Sequence, residues 1–169
     1  MMNTKPIRNK SHRFFPLHCW DVIMQTQQQH YVEEAKQKSD LQTLKDFQKS
    51  FGWHLDLDKV LAQTYQALVL TDDKIVIQWV DKGFEKMTGY AINEALGKTP
   101  QFLQGKETSV NTRAYLRQGI RQEQKLNARI VNYRKSGIPY HCELNILPLH
   151  DDKGVLRHFL ALENELRPI

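Results

Sequence analysis

The segment KLNARIVNYRKSGIPYHCELNILPLHDDKGVLRHFLALENEL, residues 125–166, decides the fold. It reads as three strands joined by two tight turns. KLNARIVNYR (125–134) turns at Ser136 and Gly137, PYHCELNILPL (139–149) turns at DDKG, and VLRHFLALENEL (155–166) is the last. Strand side chains alternate between faces. One face of the three strands therefore carries Leu126, Ala128, Ile130 and Asn132, then Tyr140, Cys142, Leu144 and Ile146, then Phe159, Ala161 and Glu163. Each apolar row holds one polar or soft side chain: Asn132, Cys142 or Glu163.

Two more strands precede this block. ALVLT (67–71) and IVIQWV (75–80) flank the turn DDK and form a hairpin. Between the two groups lie short helical stretches: DKGFEKM ending at Gly89, AINEAL ending at Gly97, and a longer helix capped by Ser109 or Asn111 and running to about Gln122. Two strands, a helical interlude and three hairpin-linked strands make an α+β pattern. A sheet roofed by short helices, with isolated polar groups on its covered face, is suited to hold a small ligand.

The N-terminal third reads differently. Residues 1–29 end in the polar run QTQQQH, without periodicity, and are expected as a flexible tail. A helical extension follows over 30–64. Leu41, Leu44, Phe47 and Phe51 recur at helical spacing, Gly52 stops that helix, and a second short one runs from Asp58 to about Gln66.

Bulk properties exclude several classes. The chain has 169 residues, a net charge of +5 and a pI near 9.2. Much of the charge sits in the tail (Lys5, Arg8, Lys10, Arg13), read as a solvated arm, and no nucleic-acid-binding motif accompanies it. No apolar run approaches the ~20 residues a bilayer span needs, and no secretory signal is evident. The expectation is a cytoplasmic protein with no membrane and no nucleic-acid partner. The two cysteines, Cys19 and Cys142, and the seven histidines form no metal-ligand spacing, so no metal is expected. No nucleophile–base pair, phosphate loop or paired-carboxylate motif points to an enzyme.

Four stretches, in order and at the right intervals, carry a resemblance. FEKMTGY (84–90) with Glu94 and Gly97, FLQG (102–105) with Glu107 and Thr108, NYRKSG (132–137) with Pro139 and Tyr140, and LPLHDDKG (147–154) with HFLAL (158–162) resemble a PAS domain, and within it the light-oxygen-voltage (LOV) branch. The resemblance covers about residues 65–166. It implies a PAS fold: a five-stranded antiparallel sheet with short helices on one face, here preceded by an N-terminal helical extension. It also implies a sensory or regulatory role through a protein partner in trans, with a homodimer expected.

In LOV photoreceptors a thiol adds to the excited flavin. Pro100 occupies the matching position, and proline offers no nucleophile. Thr99 and Gln101 replace a family asparagine and a phosphate-binding arginine. The adduct is therefore not expected. By the same resemblance the candidate pocket residues are Gln104, Arg117, Asn132, Cys142 and Glu163. Gln104, Arg117 and Asn132 match flavin contacts. Cys142 replaces a ring-edge asparagine, and Glu163 replaces a glutamine on the last strand. An ionised Glu163 accepts hydrogen bonds only and would repel an acceptor-rich ring edge. Flavin mononucleotide (FMN) is accordingly disfavoured, as is haem, and the ligand is left unknown.

Each candidate also has a plain structural reading. Cys142 packs as a small apolar side chain, Glu163 is a strand-end carboxylate near solvent, and Arg117 is a surface cation. Gln104 bonds its own loop, and Asn132 holds a neighbouring strand or loop. A ligand-free dimerisation domain is the alternative function, using the sheet face that shows His141, Glu143 and Asn145 beside Val131 and Tyr133.

Overall fold

The structure is a computed structural model in which residues 17–166 are described. The chain divides into two units, Met1–Ala35 and Lys36–Ile169. Helix α1 spans Leu17–Phe51 and so starts well before residue 30, where the helical extension was expected to begin. Residues 17–29, expected within a flexible tail, are helical; the rest of that tail lies outside the described residues. Glutamine is a good helix former even without an amphipathic rhythm, so the run QTQQQH is helical although it lacks periodicity. Within the first unit Trp20, Val22, Ile23, Met24, Tyr31 and Val32 are exposed.

The second unit holds the expected sheet. Strands β1 (Ala67–Asp72), β2 (Ile77–Val80), β3 (Leu126–Tyr133), β4 (Pro139–His150) and β5 (Leu156–Glu165) pair antiparallel in the order β2-β1-β5-β4-β3. The chain's last strand is thus the centre of the sheet. Helices α3 (Lys82–Thr88), α4 (Ile92–Ala95) and α5 (Val110–Arg121) lie between β2 and β3 in sequence. Gly89 ends α3 in the left-handed region at φ 75°, where a side chain would be strained. The inner face buries Val69, Phe84, Met87, Leu103, Leu116, Ile130 and Phe159 in one core.

The outer face is covered as well. Leu44 of α1, Trp53, and Leu57, Val60 and Leu61 of α2 (Leu57–Leu61) pack on Leu68, Leu70, Leu147, Leu149, Leu160 and Leu162. This second core explains why β1 and β5 read as continuous apolar runs rather than alternating ones. It also limits the free part of that sheet face. The β3–β4 end, with Val131, Tyr133, His141, Glu143 and Asn145, stays at least partly exposed. Helix α2 is shorter than expected, because Asp56 caps it by accepting from Lys59 N at 3.0 Å and the chain leaves the helix after Leu61.

Asp81 ties the layers together. Its Oδ1 accepts from the backbone N–H groups of Phe84, capping α3, and of Leu68, both at 2.9 Å. Its Oδ2 lies 3.0 Å from Lys36 Nζ on α1. Lys36 also lies 3.5 Å from Asp40 and stacks on the Tyr65 ring, whose hydroxyl donates to Asp40 at 3.2 Å. Gly83 is forced by this crowding: a Cβ there would meet the Gln66 carbonyl oxygen at 1.8 Å.

Candidate functional site

The loop from Gly97 to Ser109 forms one wall of a cavity over the sheet. Ile77 N donates to Lys98 O at 2.8 Å and Gly97 N to Ile77 O at 3.0 Å, which pins the loop's start to β2. Thr99 is extended, and Pro100 opens a 3-10 turn over Pro100–Leu103, a position where its missing N–H costs nothing. Gln104 then pairs with Asn132 of β3 as a backbone bridge. Thr108 locks the far end. Its hydroxyl accepts from Gly105 N at 2.9 Å and donates to Val131 O at 2.7 Å, while Glu107 N donates to the Tyr133 hydroxyl at 2.9 Å. Gly105 is required because a Cβ would stand 2.4 Å from the Tyr133 ring. The order FLQG then Glu107, Thr108 and Ser109 is thus a staple followed by the N-cap of α5, where Ser109 accepts from Thr112 N.

The cavity measures about 360 Å³. Gln104, Arg117, Asn132 and Glu163 all line it, as does Pro100. Cys142 does not. It is fully buried beside the cavity floor, its Sγ 3.8 Å from Glu163 Oε2. Burial first, and the neighbouring Glu163 charge second, push the Cys142 thiol well above its ordinary range, so it stays protonated.

Glu163 is not a strand-end carboxylate near solvent. It is 4% exposed, on the central strand, facing Ala67 of β1 on one side and Leu144 of β4 on the other. Neither neighbour can solvate an anion. Burial therefore raises its pKa from 4.5 to about 7, assisted by the Asp81 charge and opposed by the Cys142 thiol. Near neutral pH the carboxyl group is divided between a donor and an acceptor-only form. The buried Thr71 hydroxyl, also on the wall, has no hydrogen-bond partner among the described residues.

Sequence reasoning found one cation here and missed three. Arg113, Arg117 and Arg121 recur every four residues along α5, and Lys74 joins them from the β1–β2 turn. Arg117, Arg121 and Lys74 are exposed, which puts the positive end of the cavity at its mouth and the polar floor inside. None of the four is in an ion pair among the described residues. The four-residue repeat on a helix facing the strands was the available signal.

Similarity to known proteins agrees with this architecture. The PAS domain family model matches residues 66–166. A blue-light photoreceptor of Listeria monocytogenes is 36% identical over 112 residues, covering 64% of this chain and 44% of that protein. Phototropin-2 of rice is 29% identical over 133 residues, covering 77% of this chain and 15% of its own length. The chain therefore spans less than half of these relatives. Among solved structures, the one described as "Flavin Analogue Sheds Light on Light-Oxygen-Voltage Domain Mechanism" superposes with a TM-score of 0.62 at 31% identity, over 67% of this chain and 86% of that one. The chain belongs to the PAS domain family, in its light-oxygen-voltage branch.

Proposed function

We propose that this chain is a sensory module of a signalling system that binds an elongated ligand with a planar polar end and an anionic end, without forming a cysteinyl adduct. One observation carries the reading: one cavity joins a polar floor (Asn132, Gln104, Glu163) to a basic side lined by Lys74, Arg113, Arg117 and Arg121, none of them in an ion pair among the described residues. Such cations favour a phosphate or carboxylate tail.

FMN fits these residues better than the sequence alone implies. A protonated Glu163 donates a hydrogen bond to an acceptor-rich ring edge, so the repulsion expected of an anion falls away. Arg113, Arg121 and Lys74 supply cations that offset the glutamine at 101. Asn132 and Gln104 would hold the ring, and Arg117 with its neighbours the tail. When bound, flavin would supply light absorption and one- or two-electron chemistry. Pro100 and the thiol of Cys142, which is absent from the wall, argue against sulfur addition.

Residues 65–166 act as the sensor and 30–64 as the extension that carries its output. The output is non-enzymatic within this chain and goes to a protein partner in trans, in the cytoplasm. A homodimer is supported by the exposed apolar side chains of residues 20–32. No helix among the described residues is long and apolar enough to cross a membrane.

The test is to purify the full chain, record its absorption spectrum before and after adding FMN, and identify any released ligand by mass spectrometry. Uptake of FMN, with no loss of thiol titre under blue light, is the expected result. A folded protein whose melting temperature responds neither to FMN nor to other anionic heterocycles refutes the ligand reading and leaves a ligand-free dimerisation domain.

A further inference from the structure

The buried charges of this domain form a chain of their own. Glu163 lies on the cavity floor. Asp81, at the head of α3, accepts from Leu68 N of β1 at 2.9 Å, next to Ala67, which faces Glu163 across the β1–β5 pair, and its charge raises the proton affinity of Glu163. Beyond Asp81 stand Lys36 and Asp40 of α1. Asp81 and Asp40 are almost fully buried, and the Lys36 side chain is only 12% exposed. We propose that Glu163 and the Asp81–Lys36 clasp act as one electrostatic relay, so that the charge on the pocket floor is read out as the firmness with which residues 36–51 of α1 are held on the sheet.

The sign follows from how Asp81 is held. Its Oδ1 is committed to two backbone N–H groups, so the side chain cannot turn away from a new neighbour. A negative charge on Glu163 makes the Asp81 carboxylate more costly, and the Lys36 ammonium is the nearest counter-charge. Lys36 is therefore gripped harder when Glu163 is ionised and less firmly when it is neutral. Coupling of this kind is reciprocal: loosening Lys36 makes Glu163 hold its proton to higher pH.

Other groups face the same space. Cys142 of β4 lies 3.8 Å from Glu163, and Tyr140 of the same strand feels its charge; burial keeps both protonated. Arg134 stacks on the Tyr140 ring and pairs with Glu165 at the end of β5. Lys74 and the α5 arginines stand at the mouth of the same cavity. Asp81 is the charged group that both pairs with Lys36 of α1 and raises the proton affinity of Glu163. Asp40 is the second acid on Lys36; burial, then the Asp81 charge, holds its carboxyl above the usual range. The relay does not depend on which ligand fills the pocket. Any ligand that protonates or ionises Glu163 is an input.

The experiment follows the Glu163 carboxyl by carbon NMR from about pH 5 to about pH 9, a window that brackets its titration. Amide exchange of residues 37–44 is read in parallel. All proteins are the full chain carrying His158→Gln, which removes the imidazole packed on the same helix. Lys36→Met is expected to move the Glu163 midpoint up by about half a unit or more, and Asp81→Asn to move it down by a similar amount. Exchange in α1 should slow severalfold as Glu163 ionises, and Glu163→Gln should abolish that dependence. Asparagine retains the cap of α3; should Asp81→Asn nevertheless not fold, Lys36→Met decides alone. A folded Lys36→Met protein with an unmoved Glu163 midpoint overturns the relay. So does a Glu163→Gln protein that keeps the pH-dependent exchange.

Discussion

Trp53 Nε1 donates to His158 Nδ1 at 3.2 Å, and both side chains are almost wholly shielded from water. Phe47 and Phe51 of α1 meet the same imidazole edge-on, with ring centroids at 5.9 and 4.5 Å. A neutral histidine thus joins the end of α1, the following tryptophan and the central strand.

That arrangement makes the domain sensitive to acid. Burial lowers the His158 pKa below 6.5, opposed by Asp72 and Asp73. The unfolded chain then binds the proton more readily than the folded one. Stability is full above about pH 6.5 and is lost as pH falls toward the folded value. Urea denaturation midpoints should drop over that interval, and His158→Gln, which keeps an acceptor for Trp53, should flatten the decline. An unchanged slope in the variant would count against the assignment.

Glu163 works in the opposite direction. Its folded pKa of about 7 exceeds the ordinary 4.5, so its contribution is present below about pH 4.5 and lost as pH rises through about 7. At pH 8 the buried anion costs on the order of 3 kcal/mol at most, from 1.36 kcal/mol per pKa unit. Glu163→Gln should raise the melting temperature at pH 8 and leave it nearly unchanged at pH 5. Equal shifts at both pH values would sink this account.

Gly83 tests the junction beneath Asp81. Gly83→Ala places a methyl group against the Gln66 carbonyl, which is backbone and cannot step aside. A loss of about 3 kcal/mol or more is expected from chemical denaturation. Wild-type stability in this variant would mean that β1 and α3 are not in the described contact.

Charge at the cavity mouth tests recognition separately from folding. Arg113→Glu with Arg117→Glu should leave the melting temperature of the free protein within a few degrees, since neither arginine is in an ion pair among the described residues. FMN affinity should fall by about tenfold or more, with a weaker salt dependence. Undiminished affinity would place the ligand's anion elsewhere.

The strands and their facing were legible because alternation is a local property. Leu126, Ile130 and Asn132, and Tyr140, Cys142 and Leu144, all point inward as parity requires. What parity cannot reveal is the order of strands. The chain's last strand is the middle of the sheet, so Glu163 looked peripheral in sequence and is enclosed in space. Burial brings the Glu163 pKa to about 7, which removes one of the grounds for disfavouring flavin, while the departures at Thr99, Gln101 and Cys142 stand. Trp53, just past the glycine that ends α1, gave no periodic signal, although it is among the most buried residues. Of the cation row on α5 only Arg117 was singled out, by its match to a family residue; its neighbours at four-residue intervals, Arg113 and Arg121, were not.

The apolar skin that α1 and α2 lay over Leu68, Leu70, Leu160 and Leu162 has a further cost for any protein that seeks that surface. The incumbent is tethered, present at an effective concentration in the millimolar range. For a cover whose own intrinsic affinity is micromolar, any rival for the bare strands would thus appear about a thousandfold weaker until the tethered cover lifts. Recruitment there is controlled by eviction rather than by attraction.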